Sequence, residues 1–504
     1  MERGRELFTR SSGILLPVSS LPSPWGIGSF GKAAYEWVDF LHSAGQSFWQ
    51  ILPLGPTGYG NSPYSSFSAF AGNPHFVDLD VLMEEGLLER KDYADINWGG
   101  RSDRVDYTAV EKYRGGVLRK AFERFEDMAA LDGFKAQNPW LEHYCLYMAI
   151  KRKQGGLSWM EWDEPLRTRQ PGVVSGMREN LTKDINYHAF VQYQFRRQWH
   201  SLREYAHAAG VEIIGDIPIY VSMDSADVWA TPGLFQLDGD ARPVEVAGCP
   251  PDAFSADGQV WGNPLYDWEA MEKTGYEWWL QRLSSSFELY DVLRIDHFRG
   301  LEGYFAIPVS TGLAKDGRWR PGPGMSLINA VKKALPEARI IAEDLGYLTD
   351  EVRKLLEVSG YPGMKLVQFA FDSRSADDNS PPYSYEANSV VYPGTHDNDT
   401  LAGWTKTAPE DSVINAMEYA GIDRKSELPL AMIRLTLECN SNLAVIPMQD
   451  WLGLGSDARM NTPSTVGGKN WRWRLGRIAP GGALAVFIAG MTSVYGRHNR
   501  AGAK

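Results

Sequence analysis

Val292-Leu-Arg-Ile-Asp-His-Phe-Arg-Gly300 (VLRIDHFRG) is an apolar run that stops at a carboxylate set among two arginines and a histidine. Its first five residues do not alternate strictly between apolar and polar. They predict a short strand, Val292–Asp296, covered on both faces as strands of parallel sheets are. Seven further runs share this form, each short, β-branched or otherwise apolar, and closed by turn residues. They are Gly13–Pro17, Phe48–Leu54, Val211–Ile217, Ala338–Glu343, Lys365–Phe371, Val390–Gly394 and Leu443–Met448.

Helical patterns lie between the runs. Trp37, Phe40, Leu41 and Ala44 follow the i, i+3, i+4, i+7 rule, and Gly45 stops them. Val191, Phe195, Trp199, Leu202 and Ala206 form a longer stripe ending at Gly210. Val352, Leu355 and Leu356 follow a Thr349 cap and stop at Ser359-Gly360. Strand–helix alternation eight times over predicts an α/β fold, a (β/α)8 TIM barrel. The long gaps from Leu54 to Val211 and from Ile217 to Val292 predict large insertions in the βα loops, where such a barrel builds its active site. We therefore expect a single catalytic domain over 1–504, with insertion subdomains at about 57–210 and 222–290.

Composition narrows the function. With 43% hydrophobic residues the chain can bury a large core. A formal charge of -12, from 51 basic and 63 acidic residues, argues against a nucleic-acid partner. Three widely spaced cysteines, Cys145, Cys249 and Cys439, fit a reducing compartment rather than a disulfide framework. The N-terminal residues lack a signal-peptide core, and no apolar run approaches the roughly 20 residues of a membrane span. The expectation is a cytoplasmic protein with no membrane partner. Aromatic residues make up 12% of the chain, many beside Gly, Pro, Asn and Asp, as in PTGYGNSPYSSFSAF. An aromatic face with polar groups at its edge suits a sugar ring.

The strand ends carry the chemistry. One run ends in Gly215-Asp216, another in Arg294-Ile-Asp296, a third in Glu343-Asp344, a fourth in His396-Asp397-Asn398-Asp399. In a barrel these ends open on one rim, so the carboxylates converge. Convergent carboxylates without a metal-ligand pattern suit glycosidic chemistry, with one nucleophile or base and one proton donor. The nine histidines show no HxxxH spacing, no phosphate-binding GxxxxGK[ST] loop occurs, and no GxSxG elbow marks a serine hydrolase. No metal and no cofactor are expected. Read alone, VLRIDHFRG fits an ion pair pinning a strand end equally well. The other three strand ends tip the reading toward a site.

The set RIDHFRG, AEDLG, GTHDNDT, GDIPIYV and PPDAFSADGQVWGNPLYDW resembles the 4-α-glucanotransferases (amylomaltase or disproportionating enzyme, glycoside hydrolase family 77) of the α-amylase superfamily. SSGILLPVSSLPSPWGIGSFG, GYGNSPYSSFSAFAGNP and RMNTPST extend the likeness in the family's order. The resemblance implies transfer of an α-1,4-glucan segment to a sugar 4-hydroxyl, with maltooligosaccharides and starch- or glycogen-derived glucans as partners and cycloamyloses as conceivable products. It implies Asp296 as nucleophile, Glu343 as general acid/base and Asp397 as the carboxylate that grips sugar hydroxyls. It further implies substrate contacts from Tyr59, Asp216, Asp252, Trp261, Arg294, His396 and Asn461.

Physical chemistry supports these roles beside the resemblance. Arg294 shares a strand face with Asp296 and favours the ionised form a nucleophile needs. Glu343 follows the apolar Ile340-Ile341-Ala342, which favours its protonated form. The loop Gly248–Trp268, carrying Trp261, is the expected device for ordering an acceptor and excluding water. Two departures from the family pattern stand out: Cys249 and Ala253 in that loop, and Ser464 where glycine is usual, which costs conformational freedom if φ is positive there. A hydrolase of the same superfamily would form only shorter products from maltotriose. A non-catalytic glucan-binding protein would be free to lose a carboxylate, and all three are present.

Overall fold

The computed structural model describes residues 7–251, 257–346, 348–374, 380–477 and 481–499. Twelve strands are seen among them: β1 (Ser11–Leu15), β2 (Phe48–Gln50), β3 (Glu212–Pro218), β4 (Glu245–Cys249), β5 (Gln259–Pro264), β6 (Val292–Asp296), β7 (Gly303–Pro308), β8 (Arg318–Pro321), β9 (Ile340–Ala342), β10 (Gly363–Leu366), β11 (Ser389–Tyr392) and β12 (Leu443–Pro447). Eight of them, in the order β10-β11-β12-β1-β2-β3-β6-β9, form one parallel sheet. Each expected run contributes one of these strands. The two ends of the sheet meet where Ala342 N donates to Pro362 O at 3.0 Å and Met364 N donates to Asp344 Oδ1 at 2.6 Å. A side-chain carboxylate there stands in for a missing backbone partner and helps close the (β/α)8 barrel.

The barrel interior is filled by inward side chains, among them Leu15, Phe48, Ile214, Val292, Ile341 and Val445, with Phe8 edge-on to Phe48. The opposite strand faces carry Ile14, Trp49, Ile213, Leu293 and Ile295 into the larger core beneath the helices. Both faces are therefore apolar, which is why the runs do not alternate. Gly215 on β3 shows how tightly this layer is packed: a Cβ there would strike the ring of Tyr290.

Helices form where periodicity predicts them. Lys32–Ser43 buries Trp37, Phe40 and Leu41. Thr182–Ala208 buries the Val191, Phe195, Trp199, Leu202 and Ala206 stripe. Asp350–Ser359 begins at Thr349, whose hydroxyl accepts from Val352 N, and ends at the left-handed Gly360. One run needs correction: Lys365–Phe371 is strand only as far as Leu366, and Val367–Phe371 is helix. The run's unbroken apolarity serves a buried helical turn as well as a strand, so periodicity could not separate them.

Between β2 and β3 the chain forms mainly helices, including Tyr107–Glu123, Met128–Gln137, Trp140–Lys153 and Pro171–Asn180. A second, antiparallel sheet has the order β5-β4-β7-β8. It joins β4 and β5 to β7 and β8, pairing β4 with β7 across the intervening β6. This small sheet therefore draws on the loops after both β3 and β6 and extends past residue 290.

Candidate active site

Barrel strands and the loops that follow them deliver polar side chains to the C-terminal rim. Register places Asp216 of β3 beside Arg294 of β6, and Ile295 of β6 beside Ala342 of β9. Arg294 forks between two carboxylates, donating through Nη1 to Asp216 Oδ2 at 2.6 Å and through Nη2 to Asp296 Oδ1 at 2.8 Å. Burial opposes the guanidinium's charge, but Asp216 and Asp296 on either side hold it firmly protonated. Asp296 keeps 30% of its side chain open to solvent, whereas Asp216 is fully buried. Asp216, expected from the sequence as a substrate contact, meets Arg294 and Tyr64 here rather than solvent.

Tyr64, from the loop after β2, was not singled out by sequence, although it lies in the same GYGNSPY stretch as Tyr59. Its hydroxyl donates to Asp216 Oδ2 at 2.8 Å and lies 3.0 Å from His396 Nε2. Burial and the Asp216 charge push the phenol well above its ordinary range, so it remains a donor. With its one proton directed at Asp216, Tyr64 takes its second bond from His396, which assigns the imidazole proton to Nε2. The two rings stack at 5.4 Å and 14°. His396 Nε2 also lies 3.3 Å from Asp397 Oδ2.

Asp397 is gripped from below. Asn461 Nδ2 donates to its Oδ1 at 2.6 Å, and Arg459 donates to its main-chain oxygen at 2.5 Å and to Asn461 O at 2.6 Å. Asn461 therefore orients Asp397, and Arg459, quoted in RMNTPS but not read individually, ties the two loops together. The turn that presents Asp397 is further fixed by Asn398, whose Oδ1 accepts from Thr395 N at 2.9 Å, and by Gln368, which donates to Asp399 O at 2.8 Å.

Glu343 follows β9 directly. Its Oε2 accepts from His297 N at 2.7 Å and its Oε1 from Leu345 N at 2.8 Å. Burial raises its pKa to about 8, the Asp296 charge adds to the rise, and Arg294 with the two amides pulls the other way. The apolar Ile340-Ile341-Ala342 run had pointed to this environment. A carboxyl raised this far is protonated at neutral pH.

The small sheet covers one side of these groups. Trp261 on β5 packs its ring perpendicular to that of His297, with centroids 4.8 Å apart at 89°. It is 37% exposed, and Tyr59 is 81% exposed. Both leave aromatic surface open to solvent. Asp252, with Ala253, lies outside the described residues. Ser464 has φ 62°, the left-handed backbone that glycine adopts more readily. All three cysteines are free thiols. Among the described residues, no group of three or more His, Cys, Asp or Glu is arranged to hold a metal ion.

The comparisons with known proteins follow the same line. A family model described as 4-alpha-glucanotransferase matches residues 16–478. A 4-alpha-glucanotransferase of Streptococcus pneumoniae is 47% identical over 496 residues, covering 97% of this chain and 98% of that protein. One from Clostridium butyricum is 45% identical over 487 residues, covering 95% and 99%. Among solved structures, an amylomaltase from Streptococcus agalactiae in complex with acarbose superposes with a TM-score of 0.94 at 40% identity, covering 97% of this chain and 100% of that one.

Proposed function

Because this chain belongs to the 4-alpha-glucanotransferase family, an enzyme family that passes segments of α-1,4-glucan from donor to acceptor, we propose that it works by a retaining double displacement on Asp296. Asp296 attacks the anomeric carbon while Glu343 protonates the departing sugar oxygen. A covalent glycosyl-enzyme results. Glu343, now ionised, takes the proton from the 4-hydroxyl of an incoming glucose or glucan, and that oxygen displaces Asp296. Asp397 binds hydroxyls of the sugar being transferred and strengthens its hold as charge develops.

One observation carries this reading. Glu343 keeps its proton to about pH 8, while a guanidinium faces Asp296 from 2.8 Å. Neighbouring carboxyls placed in environments this different are suited to the acid and nucleophile roles respectively.

Tyr59 and Trp261 are sugar platforms in this reading, and Asp252 is a further sugar contact. Arg294, His396 and Asn461 line or brace the subsite around Asp296, with Asp216 acting through Arg294 and Tyr64. The substrates are maltooligosaccharides and longer α-1,4-glucans of starch or glycogen origin, in the cytoplasm, without nucleic acid. No described helix is long and apolar enough to cross a membrane. The domain division we favour is one catalytic barrel over 1–504 with insertions at about 57–210 and 222–290, the second sharing its sheet with 303–321. Incubation with maltotriose tests the reaction: glucose together with chains longer than maltotriose is expected. Products confined to glucose and maltose would replace the transferase with a hydrolase.

A further inference from the structure

His297 touches both the proton-transfer carboxyl and the tryptophan of the covering sheet. Its backbone is left-handed, at φ 55° and ψ 47°, a conformation that residues with a Cβ avoid. Such strain persists only where the surroundings hold it, and often at working sites. Three contacts hold it here. The His297 N–H donates to Glu343 Oε2 at 2.7 Å, and the next amide, of Phe298, donates to Glu343 O at 3.0 Å. The imidazole packs perpendicular to the Trp261 ring. Beneath it lies Gly300, where an added Cβ would come within 3.1 Å of the imidazole Cδ2. The ring is thus wedged between Trp261 and bare backbone, and its own peptide orients Glu343.

Two amides fix the rotation of the Glu343 carboxyl, Leu345 on Oε1 and His297 on Oε2. Without the packing that holds the His297 ring, its strained left-handed backbone is free to relax, and the relaxed peptide carries the N–H away from Oε2. Proton transfer needs the carboxyl within hydrogen-bond reach of the glycosidic oxygen, so a carboxyl free to swing is a poor acid. We infer that His297 is a positioning residue that couples the seat of Trp261 to the orientation of Glu343, so that a sugar resting on Trp261 aligns the carboxyl. This rests on the roles proposed above for Glu343 and Trp261.

The test compares two donors. With α-maltosyl fluoride, Asp296 attacks the anomeric carbon, the C–F bond breaks and fluoride leaves with the electron pair, needing no proton from Glu343. With maltotriose, the C–O bond breaks and the departing oxygen takes the Glu343 proton. His297→Asn removes the ring while tolerating the left-handed backbone. Its loss in maltotriose turnover should exceed its loss in first-turnover fluoride release by about tenfold or more, up to the roughly 10²–10⁴-fold that a general acid supplies. Adding Trp261→Ala to His297→Asn should cost less than Trp261→Ala alone, because the path between them is already cut. Equal losses on both donors, or independent multiplication of the two substitutions, would overturn the coupling. Glu343→Gln separates the two readings. If it loses fluoride release as severely as maltotriose turnover, the acid/base assignment itself fails. If it spares fluoride release while His297→Asn does not, only the coupling fails.

Discussion

Arg294 and Asp216 form an ion pair at 2.6 Å with 4% and 0% of their side chains exposed, and the same guanidinium reaches Asp296 at 2.8 Å. A compact ammonium cannot span both carboxylates as the planar fork does. Arg294→Lys is therefore expected to lower kcat by roughly 10²-fold, the scale of a misplaced reacting group, with KM changed less. Asp216→Ala should instead act mainly on the fold. It leaves a buried cation short of a partner, which costs about 3–5 kcal/mol, and urea denaturation of the two variants would separate the effects. Near-native stability in Asp216→Ala would show that the pair contributes little.

Glu343 supplies a pH prediction. The native carboxyl holds its proton up to about pH 8, whereas the unfolded chain releases it near the ordinary 4.5. As the general acid it is active when protonated, so kcat/KM for maltotriose should fall on the alkaline side with a midpoint near pH 8. The native state binds the extra proton across this window, so the group's contribution to stability is full below pH 4.5 and is lost as pH rises through 8. Glu343→Gln cannot ionise. Its melting temperature should gain on the parent progressively from pH 5 to 8, and parallel curves would contradict the assignment.

Much of this site was legible because local sequence and global fold agree. The eight apolar runs each end where the barrel opens, so Asp296, Glu343 and Asp397 could be placed on one rim from their positions alone. Arg294 could be paired with Asp296 by strand parity, and the structure puts them 2.8 Å apart. What depended on side chains from loops was not readable. Tyr64 meets Asp216 and His396 across 152 and 332 residues of sequence, a contact that no periodicity encodes. Asp216 stands on a strand as Asp296 does, yet it is fully buried, and one of its two partners, Tyr64, comes from the loop after β2. The pairing of β4 with β7 across β6 was likewise hidden, because antiparallel partners need no fixed spacing.

Water exclusion gives a third prediction. Trp261 packs against His297 beside the proposed site with 37% of its surface exposed. Replacing it with alanine removes an apolar wall and a sugar platform together. Trp261→Ala should lose transfer more than hydrolysis, so glucose release from maltotriose persists while products longer than maltotriose shrink. A product distribution identical to that of the parent would show that Trp261 has no part in acceptor choice.

Ser464 offers a stability test away from the chemistry. Its φ of 62° is disfavoured by about 1 kcal/mol for a residue with a Cβ, part of which glycine's greater unfolded freedom would offset. Ser464→Gly should raise the melting temperature slightly and leave the Glu343 pH profile in place. A lower melting temperature would mean that the serine side chain contributes more than its backbone strain removes.

The two central carboxylates can be told apart by trapping. Asp296→Asn leaves no nucleophile, so no glycosyl-enzyme can form with any donor. Glu343→Gln lacks only proton transfer, and an α-glucosyl fluoride needs little acid assistance in the first step. The second step does need a base, so the adduct should outlive its formation in the Glu343 variant. Mass spectrometry of that variant after reaction with the fluoride should therefore find a covalent glycosyl group on the peptide containing Arg294-Ile-Asp296-His297-Phe298-Arg299. The Asp296 variant should carry none and turn over neither donor. A glycosyl group on Glu343 or Asp397 instead would reverse the roles, because the oxygen that attacks the anomeric carbon is the one that keeps the sugar.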